Sequence, residues 1–367
     1  MIRRLMVILG VVVAGVSWGW AKSPSIKDLE AEFKAECDQL NHQRIKGTGE
    51  TIVGKDSWLV LGTEMNYITF GPFWGPDALR SNPKKPGAAD PLAAILDFHA
   101  QLAKHGVELL LMPVPTRELV YPEAVLGADK LPKGVPPRLD PTEVEFYHLL
   151  RSKGINVLDL MPIFLAERYS EHGRIFVPSE SHWTGYGIVV AAHAAAREIE
   201  SRHWARKVPK AEFSAEWTSK EIDGHILKSA QEHGAAEDLK PDTIWIRVIK
   251  QKTAKGWEKF DWKQPDSPVV IIGDSNTFWW SREGGGLPEE LSYELGFPVE
   301  LVPTALGGAT NARLNLMRRI QSEPTYLSRK KLLLWCFTSR GFVHTGDGWS
   351  LVPLDGAPAQ AATPEPK

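Results

Sequence analysis

The chain of 367 residues holds only two cysteines, Cys37 and Cys336. Two thiols are too few for a disulfide framework or a cysteine-based zinc site. They either pair across a very long loop or stay apart, one in the apolar run "LLLWCF" and one on an N-terminal helix, and the sequence carries no distance that decides between these. Excess charge of one sign is also missing: 43 Lys and Arg stand against 45 Asp and Glu, a net of -2. No basic face stands out, so nucleic acid is not an expected partner. A second long apolar run is absent too. The one at the start, Leu5 to Trp20 behind Arg3 and Arg4, is shorter than the roughly 20 residues that cross a bilayer comfortably. With small Gly19 and Ala21 after it, residues 1–21 read as an export signal cleaved after Ala21, or else as a retained anchor. The expected location is therefore the periplasm, with a mature charge of about -4.

What the sequence has is a packed core: 43% hydrophobic residues and 24% charged ones, outside the range of disordered chains. Residues 22–50 contain an amphipathic helix with Ile26, Leu29, Phe33, Cys37 and Leu40 on one face. "GKDSWLVLGTEMNYITFG" reads as strand and turn. Then one unit recurs. A helix stops at Gly106 and "VELLLMPVP" follows; another stops at Gly154 and "INVLDL" follows; "LSYELG" leads into "FPVELVP". Helix, stop glycine and short apolar strand make the grammar of a parallel sheet covered by helices. "SPVVIIG" and "KKLLLWCF" add two more strands. The predicted fold is α/β, a doubly wound and mostly parallel sheet spanning 51–350. Residues 202–265, rich in Lys, Glu and Asp, interrupt it as a peripheral insertion with one alternating strand, "TIWIRVIK". The Pro/Ala-rich tail 351–367 is expected to be disordered.

In such sheets, working residues gather at the carboxyl ends of strands. "SPVVIIGDSNTFWW" puts Gly273-Asp274-Ser275 there. A serine on a tight turn at that rim suits a nucleophile whose own N–H helps hold an oxyanion. The same triplet also suits a plain strand-to-helix turn. A base is found in "PSESHWTGYG". An extended chain alternates sides, so Glu180 and His182 share one side, and a carboxylate can then orient the imidazole while its other nitrogen faces a hydroxyl. The alternatives are a helix-capping histidine or a metal ligand, and no second histidine stands at ligand spacing. His172 and His233 read as solvated.

Taken together, the Gly-Asp-Ser turn and the carboxylate-x-His turn resemble the SGNH hydrolases. The order, with the His pair ahead of the serine and "HWT" after it, resembles the alginate O-acetyltransferases of the AlgX/AlgJ type. "GKDSWLVLGTEMNY", "LLLMPVPTRELVYPE" and "LGGATNAR" resemble further family segments, so the likeness runs from Gly54 to Phe342. Two positions depart from the pattern: Glu180 stands for an Asp, and Arg117 for a usual Lys. The resemblance implies a flavodoxin-like sandwich and no cofactor. It implies a Ser275–His182–Glu180 triad that carries acetyl on the serine and passes it to a polysaccharide hydroxyl. It also implies a membrane-bound O-acyltransferase as acetyl supplier, and no room after the core for the carbohydrate-binding module of some members. Oxyanion donors are expected from the Ser275 N–H, the backbone near Gly307 or Gly308, and the Asn311 amide, unless "LGGATNAR" is simply a helix-entry loop. Trp74, Trp183, Trp279 and Trp280 are candidates for stacking on sugar, foremost Trp183 and Trp279, or else for the core, where Trp usually sits. Arg340 and Arg117 are candidates for a uronate carboxylate, or for structural ion pairs. An esterase with the same triad, and a non-catalytic polysaccharide-binding protein, are the competing readings.

Overall fold

The computed structural model describes residues 25–48, 50–82, 85–304, 308–344 and 346–354. Its centre is a five-stranded sheet. In spatial order the strands are Glu300–Val302, Val269–Gly273, Leu332–Thr338, Glu108–Val114 and Asn156–Val157. Every neighbouring pair is parallel. The three inner strands are apolar because both of their faces are covered. Leu109, Leu111, Val270, Ile272, Leu333 and Trp335 point to one side. Leu110, Met112, Ile271, Leu334 and Cys336 point to the other. The first face packs on helices Pro91–Lys104, Pro141–Ser152 and Ala309–Ser322. The second packs on Gly185–Glu200 and Leu287–Leu295. The sheet is thus wound on both faces, as the helix–strand grammar predicts.

The stop signals act as expected where they can be seen. Gly296 caps Leu287–Leu295 in the left-handed conformation, at φ 68°, where a Cβ is disfavoured. Ser25 and Asp28 close a capping box at the start of Ile26–Asn41. Two local readings need correction. "GTEMNYITF" is a helix, Gly62–Phe70, not a turn. Only Leu59–Leu61 before it is strand, paired antiparallel with Thr51–Val53, and the helical spacing of Met65 and Ile68 buries both against the core. The chain also stays packed past residue 350. Val352 and Leu354 are buried, and the Leu354 N–H donates to Gln101. Cys37 and Cys336 are both buried free thiols, and burial raises the pKa of each well above its ordinary value.

The segment 202–265 is an antiparallel sheet, Phe213–Ile222, Asp242–Thr253 and Gly256–Lys259, with the helix His225–Glu232 between its first two strands. It leans on Gly185–Glu200 and Leu287–Leu295, and Arg247 ties it down by ion pairs to Glu290 and Glu294 at 2.6 Å each. Among the described residues no helix is long and apolar enough to cross a membrane. The export signal read in 1–21 lies outside the described residues, as does the tail beyond 354.

Candidate active site

The strand Val269–Gly273 delivers Ser275 to the rim of the sheet. Gly273 is required by close approach: a Cβ there would stand 1.6 Å from the Cys336 carbonyl oxygen of the adjacent strand. Asp274 then fixes the turn. Its Oδ1 accepts the Asn276 backbone N–H at 3.0 Å, and its Oδ2 accepts the Thr338 N–H at 2.8 Å. Asn276 extends the clamp by donating its side-chain amide to Thr338 Oγ1 at 2.8 Å. The Gly-Asp-Ser turn is therefore tied to the end of the Leu332–Thr338 strand, and Ser275 stays half-exposed at its tip.

The second turn arrives ahead of the helix Gly185–Glu200, which Thr184 caps by accepting the Gly187 N–H at 3.1 Å. His182 Nε2 lies 2.9 Å from Ser275 Oγ, and His182 Nδ1 lies 2.8 Å from Glu180 Oε1. An ionised carboxylate only accepts hydrogen bonds, so the Nδ1 proton belongs to the imidazole and Nε2 is left to accept from the serine hydroxyl. Burial by itself would raise the Glu180 pKa, but hydrogen bonds from His182 and His225 outweigh it and hold this carboxyl far below its usual range. Burial lowers the His182 pKa below its ordinary value of 6.5, and the Glu180 hydrogen bond and charge recover only part of that. The imidazole is consequently neutral near neutral pH, as a general base must be.

Tryptophans join the two turns. The Trp183 indole N–H donates to the Asn276 carbonyl at 3.1 Å, and that of Trp280 donates to the Trp183 carbonyl at 2.9 Å. Trp183 is fully buried, so it has no face for a sugar, and the expectation of stacking there is overturned. Its ring fills the core and its N–H locks the histidine turn to the serine turn. Trp279 lies flat on the His182 ring, centroids 3.5 Å apart and planes 7° apart. One of its faces is therefore taken by the imidazole. Its indole N–H is buried without an acceptor, and its remaining surface opens on a groove of about 720 Å³ shared with Trp280, Phe278, Trp262, Phe260 and Lys259. Trp74 lies elsewhere, stacked on Phe146.

Both arginines are engaged in ion pairs. Arg117 is completely buried and forms ion pairs with Glu64 at 3.5 Å and Glu118 at 3.2 Å. It also donates to the Leu59 carbonyl at 2.9 Å and the Glu180 carbonyl at 3.0 Å. No ligand reaches it, and its contribution to the site is to pin the backbone of Glu180. Arg340 pairs with Glu64 at 2.6 Å and keeps 28% of its side chain exposed. Of the residues expected to supply oxyanion donors, Ser275 is placed by its Oγ, 2.9 Å from His182 Nε2. Gly308 precedes the helix Ala309–Ser322, next to residues 305–307, which lie outside the described set. The Asn311 backbone N–H is already given to Asp347 at 2.5 Å, so only its side-chain amide is left for that role. His172, read as solvated, stacks on Trp217 with centroids 4.0 Å apart.

The sequence reading missed His225. Its Nδ1 lies 2.6 Å from Glu180 Oε1, opposite His182. Glu180, His182 and His225 form the one grouping of His, Cys, Asp and Glu among the described residues that could hold a metal ion. Their N···O separations of 2.8 and 2.6 Å are hydrogen-bond lengths. Ligand atoms around a tetrahedral zinc stand about 3.3 Å apart, so the cluster is bonded through protons.

The chain is similar to known proteins over most of its length. The family description "SGNH hydrolase-like domain, acetyltransferase AlgX" matches residues 51–339. The probable alginate O-acetylase AlgJ of Pseudomonas putida is 28% identical over 303 residues, covering 80% of this chain and 71% of that protein. Its counterpart from Pseudomonas aeruginosa is 25% identical over 332 residues, covering 86% and 75%. Among solved structures, the O-acetyltransferase domain of Pseudomonas putida AlgJ superposes with a TM-score of 0.59 at 20% identity, covering 80% of this chain and 92% of that one. Pseudomonas aeruginosa AlgX does so at 0.55 and 18% identity, covering 83% and 65%. At these identities the superpositions speak for the fold.

Proposed function

The chain belongs to the SGNH hydrolase-like family of AlgX acetyltransferases, and from that premise we propose that it moves acetyl groups through Ser275 onto hydroxyls of an exported, alginate-like polysaccharide. One observation carries the mechanism: the unbroken relay from Ser275 Oγ through His182 to Glu180, at 2.9 and 2.8 Å. His182 Nε2 takes the serine proton as Oγ attacks the acetyl carbonyl. The resulting oxyanion meets the Ser275 N–H, the Gly308 backbone and the Asn311 side-chain amide. Collapse expels the donor alcohol, which takes the proton from His182 and leaves an acetyl-serine ester. A sugar hydroxyl then enters, gives its proton to His182, and attacks the ester. Loss of Ser275 Oγ, reprotonated by His182, completes the transfer. Glu180 stays ionised throughout and stabilises the imidazolium.

The aromatic groove beside Trp279 supports a carbohydrate acceptor, because sugar rings pack on indole faces. The relatives are named for alginate, and that name is the ground for the polyuronate class. Export by residues 1–21, action in the periplasm and acetyl supply by a membrane-bound O-acyltransferase belong to the same proposal. The test is incubation of the purified chain with an activated acetyl ester and oligomannuronate, followed by mass spectrometry. Acetyl on Ser275 and on the sugar is the expected result. Acetyl-serine with acetate release and no acetylated sugar would make the protein an esterase. Equal behaviour of the wild type and Ser275→Ala would remove the enzymatic reading.

A further inference from the structure

Glu180 has one more rotatable bond than an aspartate, so its carboxylate has more places to go, and ordering it costs more conformational entropy. In the structure it is held on all sides. Oε1 accepts His182 Nδ1 at 2.8 Å, the Ser181 N–H at 2.9 Å, the His182 N–H at 3.1 Å and His225 Nδ1 at 2.6 Å. Oε2 accepts the His225 backbone N–H at 3.2 Å. His225 is the only one of these donors that does not neighbour Glu180 in sequence. It opens the helix His225–Glu232 in the inserted segment.

The approach is built into the local fold. A Cβ on Gly224 would stand 2.1 Å from the Ser179 carbonyl oxygen, so only glycine lets the two backbones meet there. The Leu227 N–H donates to the same Ser179 carbonyl at 3.2 Å, and Ile226 and Leu227 are buried with Leu59. The His225 ring is fixed at both nitrogens. With Nδ1–H given to Glu180, Nε2 accepts from the Ser181 hydroxyl at 3.2 Å. Meanwhile 52% of its side chain is exposed, so core packing does not explain the residue.

We propose that His225 is a positioning residue for acetyl transfer: it clamps the Glu180 carboxylate at the reach that lets a glutamate orient His182. The inserted sheet is then a part of the active site, because it delivers this clamp. The inference rests on the triad reading given above.

The test uses the full chain with p-nitrophenyl acetate, where p-nitrophenol release reports acylation of Ser275. In His225→Ala, kcat is expected to fall about 10- to 100-fold, the scale of one hydrogen bond to a charged group, with KM within about 2-fold. His225→Asn, whose amide N–H falls near the place of Nδ1, should recover most of the loss. In a Glu180→Gln background, His225→Ala should cost nothing further, because both act through one carboxylate. A purely structural role would lower activity equally in both backgrounds, and that result overturns the proposal. So does His225→Ala with kcat within about 2-fold of wild type, or a folded His225→Asn no better than His225→Ala. Thermal melts check folding, and if His225→Ala does not fold, His225→Gln, which cannot place a donor at Nδ1, takes its place in the cycle. Wild-type rates in Ser275→Ala and Glu180→Gln would remove the triad reading itself. Losses in those two with none in His225→Ala would remove this inference alone.

Discussion

Replacing Glu180 by aspartate tests whether the site is built for the longer side chain. The substitution withdraws the carboxylate by up to one C–C bond, about 1.5 Å. From 2.8 Å, the distance to His182 Nδ1 then grows to roughly 4 Å, beyond hydrogen-bond range. The backbone is not free to follow. The Glu180 carbonyl is held at 3.0 Å by Arg117, whose guanidinium is itself fixed between Glu64, Glu118 and the Leu59 carbonyl. On the other side, the Ser179 N–H is tied to Asp242 at 3.0 Å and the Ser179 carbonyl accepts the Leu227 N–H. For the His182 ring the loss is its one hydrogen bond to a charged group, about 1.5–3 kcal/mol. Expressed in the barrier, that is a fall of about 10- to 150-fold in kcat. Rapid-quench mass spectrometry of acetyl-Ser275 formation with p-nitrophenyl acetate measures it directly. Glu180→Gln should fall further, toward the roughly 10⁴-fold cost of a mis-set imidazole tautomer. If Glu180→Asp acylates within about 2-fold of the wild type, the backbone is not pinned as argued and the length of Glu180 carries no information.

Because burial keeps the His182 pKa below 6.5, the base is neutral above that value, so kcat/KM should stay flat there and fall only as pH drops lower; an acid limb centred above 6.5 would contradict this. Trp279→Ala uncovers one face of the imidazole, relieves part of that burial and should move the acid limb to higher pH in the same assay. Arg117→Met leaves Glu64 and Glu118 without their shared cation in the core. A loss of about 3–5 kcal/mol, or about 4–7 °C in the thermal midpoint, is expected by calorimetry, and an unchanged midpoint would refute it. Gly273→Ala forces a Cβ to 1.6 Å from a neighbouring strand's carbonyl, so it should cost more than about 4 kcal/mol or yield no soluble protein; a melt like the wild type's would show that the strands can part.

The parallel sheet was legible because each of its signals is local. A continuous apolar run such as "VVIIG" has only one environment that satisfies it, a strand covered on both faces, and the helices before the strands announce their ends with glycine. The serine and histidine turns were legible for a related reason. Both sit where a strand or an extended piece meets a helix, and the residue types at those junctions are unusual enough to be read in pairs. Gly62–Phe70 was misread because its apolar residues do not form one stripe, Met65 and Ile68 facing one core and Tyr67 and Phe70 the other, and the short strand Leu59–Leu61 before it has its own alternating pattern. Trp183 was assigned to the wrong partner. Adjacency to His182 suggested a ligand, whereas a large indole beside a fixed turn fills the core and gives its N–H to the nearest carbonyl.

His225 was not legible, and the reason is physical. The strand that leads to it, Phe213–Ile222, is largely exposed, so its polar sequence carries no trace of what lies at its end. Its register is fixed by pairing with Asp242–Thr253, and that pair is positioned by Arg247 on Glu290 and Glu294, contacts that span forty residues or more in sequence. One local sign does exist. Gly224-His225 stands at a strand-to-helix junction, as Gly273-Asp274-Ser275 does, and both glycines answer to the same constraint, a carbonyl oxygen closer than a Cβ permits. A glycine demanded by close approach implies that the residue beside it is being carried up to another part of the chain. Applied to the inserted segment, that rule selects His225 and explains why a polar excursion with little core of its own is anchored so firmly: its rigidity is transmitted to Glu180, and through Glu180 to the base.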